Sequence, residues 1–324
     1  MPPKIPLESI PPALYLAVEK NKRRRHTGIH SQLEIIGAVK KTVATHRFPG
    51  TKCYGRDLGK FLRPLLAYIE KSGNILPAVE NFLSSLQTEI RQLTGPIPEA
   101  EGRAAVVNFI DFYVRSKVVL SRQKVIALAA GTIEDGDTLL VIGTDLVSDV
   151  LEKASADGKK TKTFAVCSLD DEKEARRFEN AVCLGATVSL IRPEAAAHFF
   201  TKDTKVFTDC IAVYQNLVAK TISGTLAVTS LAGLYCRPVY LLAETCKLCR
   251  LDAAFTFEAL NTFTASPQSS LPGDFYDALS GNDVSHIITE FGVFSFPYTP
   301  QIIKANPFGN KNNSLQPDKQ NGRP

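Results

Sequence analysis

The stretch "DTLLVIGTDLVSDVLEKASADG", residues 137–158, decides the fold class of the second half of the chain. Its first seven residues form a short apolar run that ends at Gly143, which is typical of a buried strand in a parallel sheet. A helical pattern follows, with Thr144 or Asp145 as its cap and Gly158 at its end. A strand that leads directly into a helix predicts an α/β unit.

The same alternation of strand and helix continues toward the C-terminus. Further strands are predicted at 162–167, 187–191, 205–209 and 238–244, with helical patterns between them. Because such connections are right-handed crossovers, we expect a parallel sheet with helices on both of its faces. The sequence therefore predicts a Rossmann-like α/β domain over residues 131–305. Residues 306–324, rich in Asn, Pro and Lys, predict a disordered tail.

The N-terminal side has the periodicity of amphipathic helices. Apolar residues recur at spacings of three and four in segments 30–46, 57–73, 76–95 and 99–130. Pro64 lies inside the second segment, which predicts a kink or a helix start near it. Helices joined by short connections indicate an N-terminal helical bundle over residues 1–130.

The composition is that of a soluble globular protein. The chain has 324 residues, of which 44% are hydrophobic and 22% charged. This length suffices for two domains with ordinary cores, and no apolar run is long enough to cross a membrane. The N-terminus lacks the apolar core of a secretory signal, so we expect a cytoplasmic protein. An odd number of cysteines, seven, favours free buried thiols over a disulfide framework.

A basic run, "KNKRRRH" at residues 20–26, stands out in a chain whose net charge is only +5. It is either a contact for phosphate, on nucleic acid or on a phosphoprotein, or simply a solvated helix end. No aromatic signature of an RNA-binding module accompanies it. A nucleic-acid module is therefore only weakly supported, and we expect no direct nucleic-acid partner.

The usual signatures of cofactor and substrate binding are absent. The first strand is followed by one glycine where a dinucleotide fingerprint needs three, and "DGKKT" at 157–161 lacks the first glycine of a P-loop. Cys246 and Cys249 form a Cys-x-x-C pair, but a zinc site needs further ligands and none have the right spacing. Glu244 precedes the pair and would raise the pKa of the Cys246 thiol, which disfavours redox chemistry. We expect no cofactor, no metal site and two packing thiols.

Three further segments carry a resemblance to a known family. They are "KVFTDCIAV" from Lys205, "LAVTSLAGLYCRPVYLLAETCKLCR" from Leu226 and "YDALSGNDVSHIITEFGV" from Tyr276. With residues 136–160 they resemble the regulatory subunits of eukaryotic translation initiation factor 2B and the related sugar-phosphate isomerases. The helical segment "GRDLGKFLRPLLAYIEKSGNILPAVENFLSSLQTEI" looks most like the delta subunit. The resemblance covers most of residues 11–305.

The residues that the isomerase relatives use for catalysis are replaced here. Those enzymes carry a cysteine just after the first strand, where this chain has Gly143 or Thr144. They carry an aspartate in the segment after Asp209, where this chain has Asn216, and an amide cannot act as a general acid or base. Their phosphate-binding arginine falls at the acidic segment 167–171. The resemblance therefore implies a protein with no catalytic residues; the alternatives are an isomerase-related enzyme and an alpha-type subunit that senses sugar phosphate.

The resemblance implies a delta-like regulatory subunit of the complex that exchanges guanine nucleotide on initiation factor 2. Its partners would be the alpha, beta, gamma and epsilon subunits and initiation factor 2, above all the alpha subunit of that factor. A phosphoserine on this partner would bind arginines or a helix N-terminus. The candidate partner contacts are Arg23, Arg24, Arg25, Thr27, His30 and Ser31. The candidate interface or pocket residues are Asp209, Lys220, Glu244 and Lys247, with Glu244 and Lys247 expected to form an ion pair.

Overall fold

The helical first part of the chain ends near residue 132. The computed structural model describes residues 10–22, 29–48, 51, 53–71, 76–93, 95–167, 176, 178–183, 185–252 and 276–306. Its first helices are α1 (Pro12–Lys22), α2 (Ile29–Thr45), α3 (Tyr54–Lys71), α4 (Pro77–Gln92), α5 (Glu99–Tyr113) and, after a π-helical segment (Val114–Leu120), α6 (Ser121–Thr132). All predicted helical segments are confirmed, and α1 is an addition to them. Pro64 lies well inside α3, so no helix starts there.

The positions of two buried residues explain why the helix has a π-helical segment here. Tyr113 at the end of α5 and Val118 in the π-helical segment are both buried, yet they lie five positions apart. An α-helix returns to the same face after three or four residues. The wider π turn absorbs the extra residue. One buried stripe therefore continues from α5, which packs in the helical half, into α6, which packs on the sheet.

The second part of the chain forms a mostly parallel sheet with a small second sheet. The strands are β1 (Thr138–Ile142), β2 (Lys162–Val166), β3 (Thr187–Ile191), β4 (Thr204–Asp209), β5 (Ala212–Tyr214), β6 (Ala219–Ile222), β7 (Val239–Leu242), β8 (Leu248–Cys249), β9 (Tyr276–Leu279), β10 (His286–Thr289) and β11 (Gly292–Ser295). Helices α7 (Asp145–Ala156), α8 (Glu179–Cys183), α9 (Thr225–Leu234) and α10 (Thr299–Ala305) lie between or after them. The five predicted strands are confirmed.

The order of the main sheet is β11-β10-β7-β4-β1-β2-β3, and only the β10–β11 pair is antiparallel. From β1 the chain winds to β2 and β3 on one side, and from β4 it winds to β7 and β10 on the other. The winding direction therefore reverses between β1 and β4. In open α/β sheets, ligands bind beyond the carboxyl ends of the strands at such a switch point. The small sheet has the order β8-β5-β6-β9.

The helical half is attached to the α/β half through packing and hydrogen bonds. The apolar core of the helices includes Ile211, and Ile222 and Tyr276 pack against it. Asn81 on α4 donates its side-chain amide to the carbonyl oxygens of Cys246, at 2.8 Å, and Leu248, at 2.9 Å. These contacts bring α4 close to the carboxyl end of β7.

The C-terminal boundary of the fold lies at Asn306. This residue is buried, and its side-chain amide donates to the carbonyl oxygen of Thr245 at 3.1 Å. Asn306 was expected to begin a disordered tail, but it packs as part of the fold. The rest of that segment, residues 307–324, lies outside the described residues. Within the described part of the chain, no helix is both long and apolar enough to cross a bilayer.

Two helical glycines provide a test of how tightly α5 packs on α3. A Cβ at Gly102 would come within 2.9 Å of Cγ of the buried Tyr54, whereas a Cβ at Gly37 on α2 would meet nothing within 4 Å. We expect Gly102→Ala to lower the free energy of unfolding by about 1–3 kcal/mol through overpacking. Gly37→Ala should raise it by up to about 1 kcal/mol, because alanine favours the helix. Urea denaturation measures both, and equal effects would contradict this packing.

Candidate functional site

Three strands of the main sheet end in buried carboxylates at the same edge. Asp209 is the last residue of β4, Glu244 follows β7, and Glu290 directly follows β10. Their exposed fractions are 1%, 3% and 7%. Because neighbouring parallel strands end at one edge of the sheet, the three carboxylates collect on the side where α/β proteins bind ligands.

Asp209 is held at the switch point by Thr144. The backbone N–H of Thr144 donates to Oδ1 of Asp209 at 2.9 Å, and the Thr144 hydroxyl donates to Oδ2. Thr144 is the N-cap of α7, so the carboxylate stands before a helix N-terminus, where a bound anion would otherwise be stabilised. Burial raises the pKa of Asp209, and the positive charge of Lys247 and the bonds from Thr144 offset only part of this.

Gly143 leaves room for this arrangement. A Cβ at Gly143 would lie 2.6 Å from Oδ1 of Asp209 and 2.6 Å from Cγ2 of Val147. A side chain at residue 143 would therefore collide with the carboxylate. While Asp209 keeps this position, a cysteine of the kind that the isomerase relatives carry has no space at residue 143.

Glu244 is neutralised by two cations. The Nζ atom of Lys247 lies 2.6 Å from Oε2 of Glu244, and Nη1 of Arg122 lies 3.6 Å from Oε1. Burial alone would raise the pKa of Glu244, but the charges of Lys247 and Arg122 hold it below its usual value. Burial alone would lower the pKa of Lys247, but Glu244 and Asp209 raise it above its usual value. The predicted ion pair is present.

The burial of this pair bears on its expected place at a subunit interface or pocket. Both Glu244 and Lys247 are buried within the chain. The short 3₁₀ turn Thr245–Lys247 folds Lys247 back under the sheet edge, three residues after its partner. The two residues therefore stabilise this chain internally.

Glu290 completes the network through hydroxyl groups. Its Oε2 accepts the backbone N–H of Thr245 at 2.9 Å, and its Oε1 accepts the Thr245 hydroxyl and, at 2.9 Å, the Ser121 hydroxyl. Ser121 is the first residue of α6, so this bond connects the long helix to the end of β10. The edge of the sheet is thus filled with buried charged and polar side chains that contact one another.

Lys220 and Asn216 lie in the small sheet. Asn216 is exposed in the turn between β5 and β6, at the position where the isomerase relatives carry an aspartate. Lys220 lies on β6 opposite Ala278, and its Nζ is 4.0 Å from the ring centroid of Tyr276. Burial lowers the pKa of Lys220. Of the four residues expected at an interface or pocket, Asp209, Glu244 and Lys247 form one cluster and Lys220 belongs to another sheet.

The Cys-x-x-C pair lies in the core. Cys246 and Cys249 are both buried, and burial together with the charge of Glu244 raises the pKa of the Cys246 thiol. A protonated, buried thiol is a poor nucleophile and a poor metal ligand. Among the described residues, no group of three or more His, Cys, Asp or Glu side chains is placed to hold a metal ion.

The candidate partner contacts are only partly described. Arg23, Arg24, Arg25 and Thr27 lie outside the described residues, as does the acidic segment after Cys167. His30 is exposed in the first turn of α2. Ser31 is 1% exposed, so its side chain faces the helical core instead of the partner that was expected there.

Sequence reasoning missed Arg122 and Glu290. Arg122 pairs with Asp149 on α7, with Nη2 2.7 Å from Oδ2, as well as with Glu244. A signal for Glu290 does exist, because "IITE" at 287–290 ends an apolar run with a glutamate just as "LLAE" does at 241–244. Arg122 carries no such signal, since an arginine on a helix is usually solvated.

Removal of one charge from the buried pair provides a test of the cluster. Lys247→Met should lower the free energy of unfolding by about 3–5 kcal/mol, because it leaves Glu244 buried without its nearest cation. The double variant Glu244→Gln/Lys247→Met should lose less than Lys247→Met alone, since no uncompensated charge remains at that pair.

A matched control is Lys153→Met, which removes a surface ion pair with Asp157 of 2.5 Å. It should cost less than about 1 kcal/mol. Chemical denaturation of all three variants measures the differences. A Lys247→Met effect as small as that of Lys153→Met would contradict the buried network.

Comparison with known proteins identifies the family to which this chain is similar. Residues 30–295 match the sequence model of the Initiation factor 2 subunit family. The curated protein "Translation initiation factor eIF2B subunit delta" of Schizosaccharomyces pombe is 26% identical over 208 residues, which is 62% of this chain and 43% of that protein. Its namesake from Dictyostelium discoideum is 22% identical over 197 residues, 60% of this chain and 32% of that protein. The chain thus spans less than half the length of these relatives.

Solved structures share the architecture. A chain of the tetrameric eIF2B-beta2-delta2 complex from C. thermophilum superposes with a TM-score of 0.79 at 19% identity, covering 87% of this chain and 92% of that chain. The eIF2B delta structure from Chaetomium thermophilum gives 0.76 at 19% identity, covering 87% and 98% of the two chains. At such identities the similarity shows the fold. Because the family model covers most of the described fold, residues 30–295, this chain belongs to the Initiation factor 2 subunit family.

Proposed function

We propose that this chain is a delta-like regulatory subunit of the initiation factor 2B complex, which exchanges guanine nucleotide on initiation factor 2. Membership of the family and the delta name of both curated relatives support the choice of complex and subunit. In such a complex the exchange chemistry belongs to another subunit. The role of this chain is assembly with its siblings and recognition of phosphorylated initiation factor 2, and its place of action is the cytoplasm.

The observation that carries a non-catalytic role is the occupied switch point. Both carboxylate oxygens of Asp209 accept bonds from Thr144, and the side chain is buried. A general base must reach the substrate proton within hydrogen-bond distance. A sugar phosphate that used Asp209 as its base would first have to displace Thr144 from this carboxylate. The internal network favours a structural use of the edge over an isomerase or a sugar-phosphate sensor.

The proposed partners are the sibling subunits alpha, beta, gamma and epsilon. One of the similar structures is a tetramer of two beta and two delta chains, and this supports beta as the first sibling to expect. Initiation factor 2 is the proposed further partner, through its alpha subunit. No nucleic acid and no membrane are part of this proposal.

The proposed phosphate contact is the basic run before α2. Arg23, Arg24 and Arg25 precede a helix that begins at Ile29, with the exposed His30 in its first turn. A phosphoserine carries about two negative charges, which arginine side chains and a helix N-terminus both stabilise. Because the three arginines stand so close to that N-terminus in the sequence, they can act on the same anion.

Purification of the tagged chain from its native cell tests the assignment to the complex. We expect the alpha, beta, gamma and epsilon subunits to co-purify in amounts comparable to the bait. The same preparation should not turn over ribose or methylthioribose phosphates. Recovery of the chain without any sibling, together with robust isomerase turnover, would support the enzyme alternative instead.

Charge reversal tests the phosphate contact. Arg23→Glu/Arg24→Glu/Arg25→Glu should abolish the preference for phosphorylated over unphosphorylated initiation factor 2 alpha in pull-downs, while sibling recovery is unchanged. The matched control is Lys60→Glu/Arg63→Glu/Arg91→Glu, which reverses three charges on α3 and α4. Unchanged binding of the phosphorylated protein by the first variant would remove this contact from the proposal.

A further inference from the structure

Asn81 on α4 is a polar link between the helical half and the α/β half of the chain. Its side-chain amide nitrogen lies 2.8 Å from the carbonyl oxygen of Cys246 and 2.9 Å from that of Leu248. Both partners are acceptors, so both protons of the amide nitrogen are engaged. Replacement of Asn81 by alanine therefore removes two bonds between the halves at once.

The turn that receives these bonds is fixed to the main sheet. Glu290, directly after β10, accepts the backbone N–H of Thr245 at 2.9 Å and also its hydroxyl. Asn306, directly after α10, donates to the carbonyl oxygen of Thr245 at 3.1 Å, and Lys247 pairs with Glu244 at 2.6 Å. The turn is therefore a firm part of the α/β half, and its carbonyl groups are fixed points of that half.

The helix that joins the halves has its irregular segment between them. The π-helical segment Val114–Leu120 follows α5, which packs in the helical half, and precedes α6, which packs on the sheet. Such π-helical turns are among the places where helices bend. Ser121, directly after the segment, donates to Glu290 at 2.9 Å, so the α6 side is tied to the sheet. The angle between the halves therefore depends on this segment and on the contacts that span it.

Apolar packing also spans the junction, but it specifies direction poorly. Ile211 belongs to the apolar core of the helices, and Ile222 and Tyr276 pack against that core. The attraction between apolar side chains is non-directional, whereas a hydrogen bond weakens steeply when donor and acceptor lose their alignment. Two bonds from the single amide of Asn81 fix direction as well as distance. Asn81 therefore adds an angular constraint that apolar packing does not supply.

We propose that Asn81 is a positioning residue for the recognition of phosphorylated initiation factor 2, because it holds the basic run before α2 at a fixed angle to the α/β half. The inference rests on the proposed function, which assigns the phosphate contact to that run and the chain to a complex with its siblings. In such a complex the partner meets the helical half while the siblings hold the chain elsewhere. A variable angle then has to be ordered on binding, and this ordering lowers the affinity.

The first test measures the angle without any partner. In a chain with Cys53→Ser and Cys183→Ser, one spin label is placed on Cys236 of the α/β half and another on α2 through Ala44→Cys, both positions being exposed. Double electron–electron resonance measures the distance between the labels. We expect Asn81→Ala to shift or broaden the distance distribution, because the helical half loses its directional contact with the turn.

The matched control is Thr88→Ala on the same helix. It removes the bond of 3.0 Å from the Thr88 hydroxyl to the carbonyl oxygen of Ser84, which lies within the helical half. It should leave the distance distribution unchanged. Thermal denaturation establishes that each variant is folded. If Asn81→Ala is not, Asn81→Ser takes its place, since a hydroxyl keeps one donor where the amide has two.

The second test measures recognition in two states of the chain. Biolayer interferometry compares binding of the phosphorylated alpha subunit of initiation factor 2 by the assembled complex and by the isolated chain. We expect Asn81→Ala to weaken binding by the complex at least about fivefold, the lower end of ordinary coupling between two sites, and to change binding by the isolated chain less than about twofold. A structural defect would weaken both, because a damaged helical half presents the basic run poorly in either state.

The outcomes separate this inference from the proposed function. An unchanged distance distribution, an unchanged affinity of the complex, or equal losses in the complex and the isolated chain would each overturn the role of Asn81 and leave the proposed function standing. A wild-type complex that binds the phosphorylated and the unphosphorylated partner alike would overturn the proposed function and the role in recognition with it. The distance measurement would still decide whether Asn81 sets the angle between the halves.

Discussion

The ion pair between Lys247 and Glu244 is the interaction on which the carboxyl edge of the sheet depends. Three strands bring carboxylates to this edge, and unpaired carboxylates in a buried place repel one another and favour neutralisation. Lys247 lies 2.6 Å from Glu244 and also lowers the free-energy cost of ionising Asp209. Lys247 and Arg122 together offset the negative charge of the buried carboxylates, so that these can be accommodated in the folded chain. A buried pair of this kind is costly to break, although it adds little stability over well-packed apolar residues.

In this arrangement, side chains of the chain itself fill the switch point of the α/β sheet. In enzymes this crevice holds the substrate, because the strand ends and a helix N-terminus supply polar groups without filling the space. Here Asp209 fills the space before α7, and Gly143 is the residue that allows it. Hydrogen bonds from Thr144 and Thr245 satisfy carboxylate oxygens of Asp209 and Glu290. Internal contacts therefore occupy the edge at which enzymes of this architecture bind their substrates.

The long helix from Glu99 to Thr132 connects this edge to the helical half. Its first part packs in the bundle, and its last part packs on α7 and β10. The π-helical segment between them keeps one buried stripe over both environments, and Ser121 binds Glu290 at the point where the stripe passes to the sheet. A local change of helical geometry therefore serves the junction between the two halves.

The sequence alone determined helices α2 to α7, the first five strands of the main sheet and the α/β class, because periodicity and glycine positions act over a few residues. By resemblance, Gly143 or Thr144 and Asn216 stand where the isomerase relatives carry a cysteine and an aspartate, and this too depends on identity at single positions. Only the tertiary structure decided that Glu244 and Lys247 face inward, that Ser31 is buried, and that Arg122 joins them from a helix more than a hundred residues away. The reason is physical: which charges meet depends on how distant segments pack, and no local pattern records that.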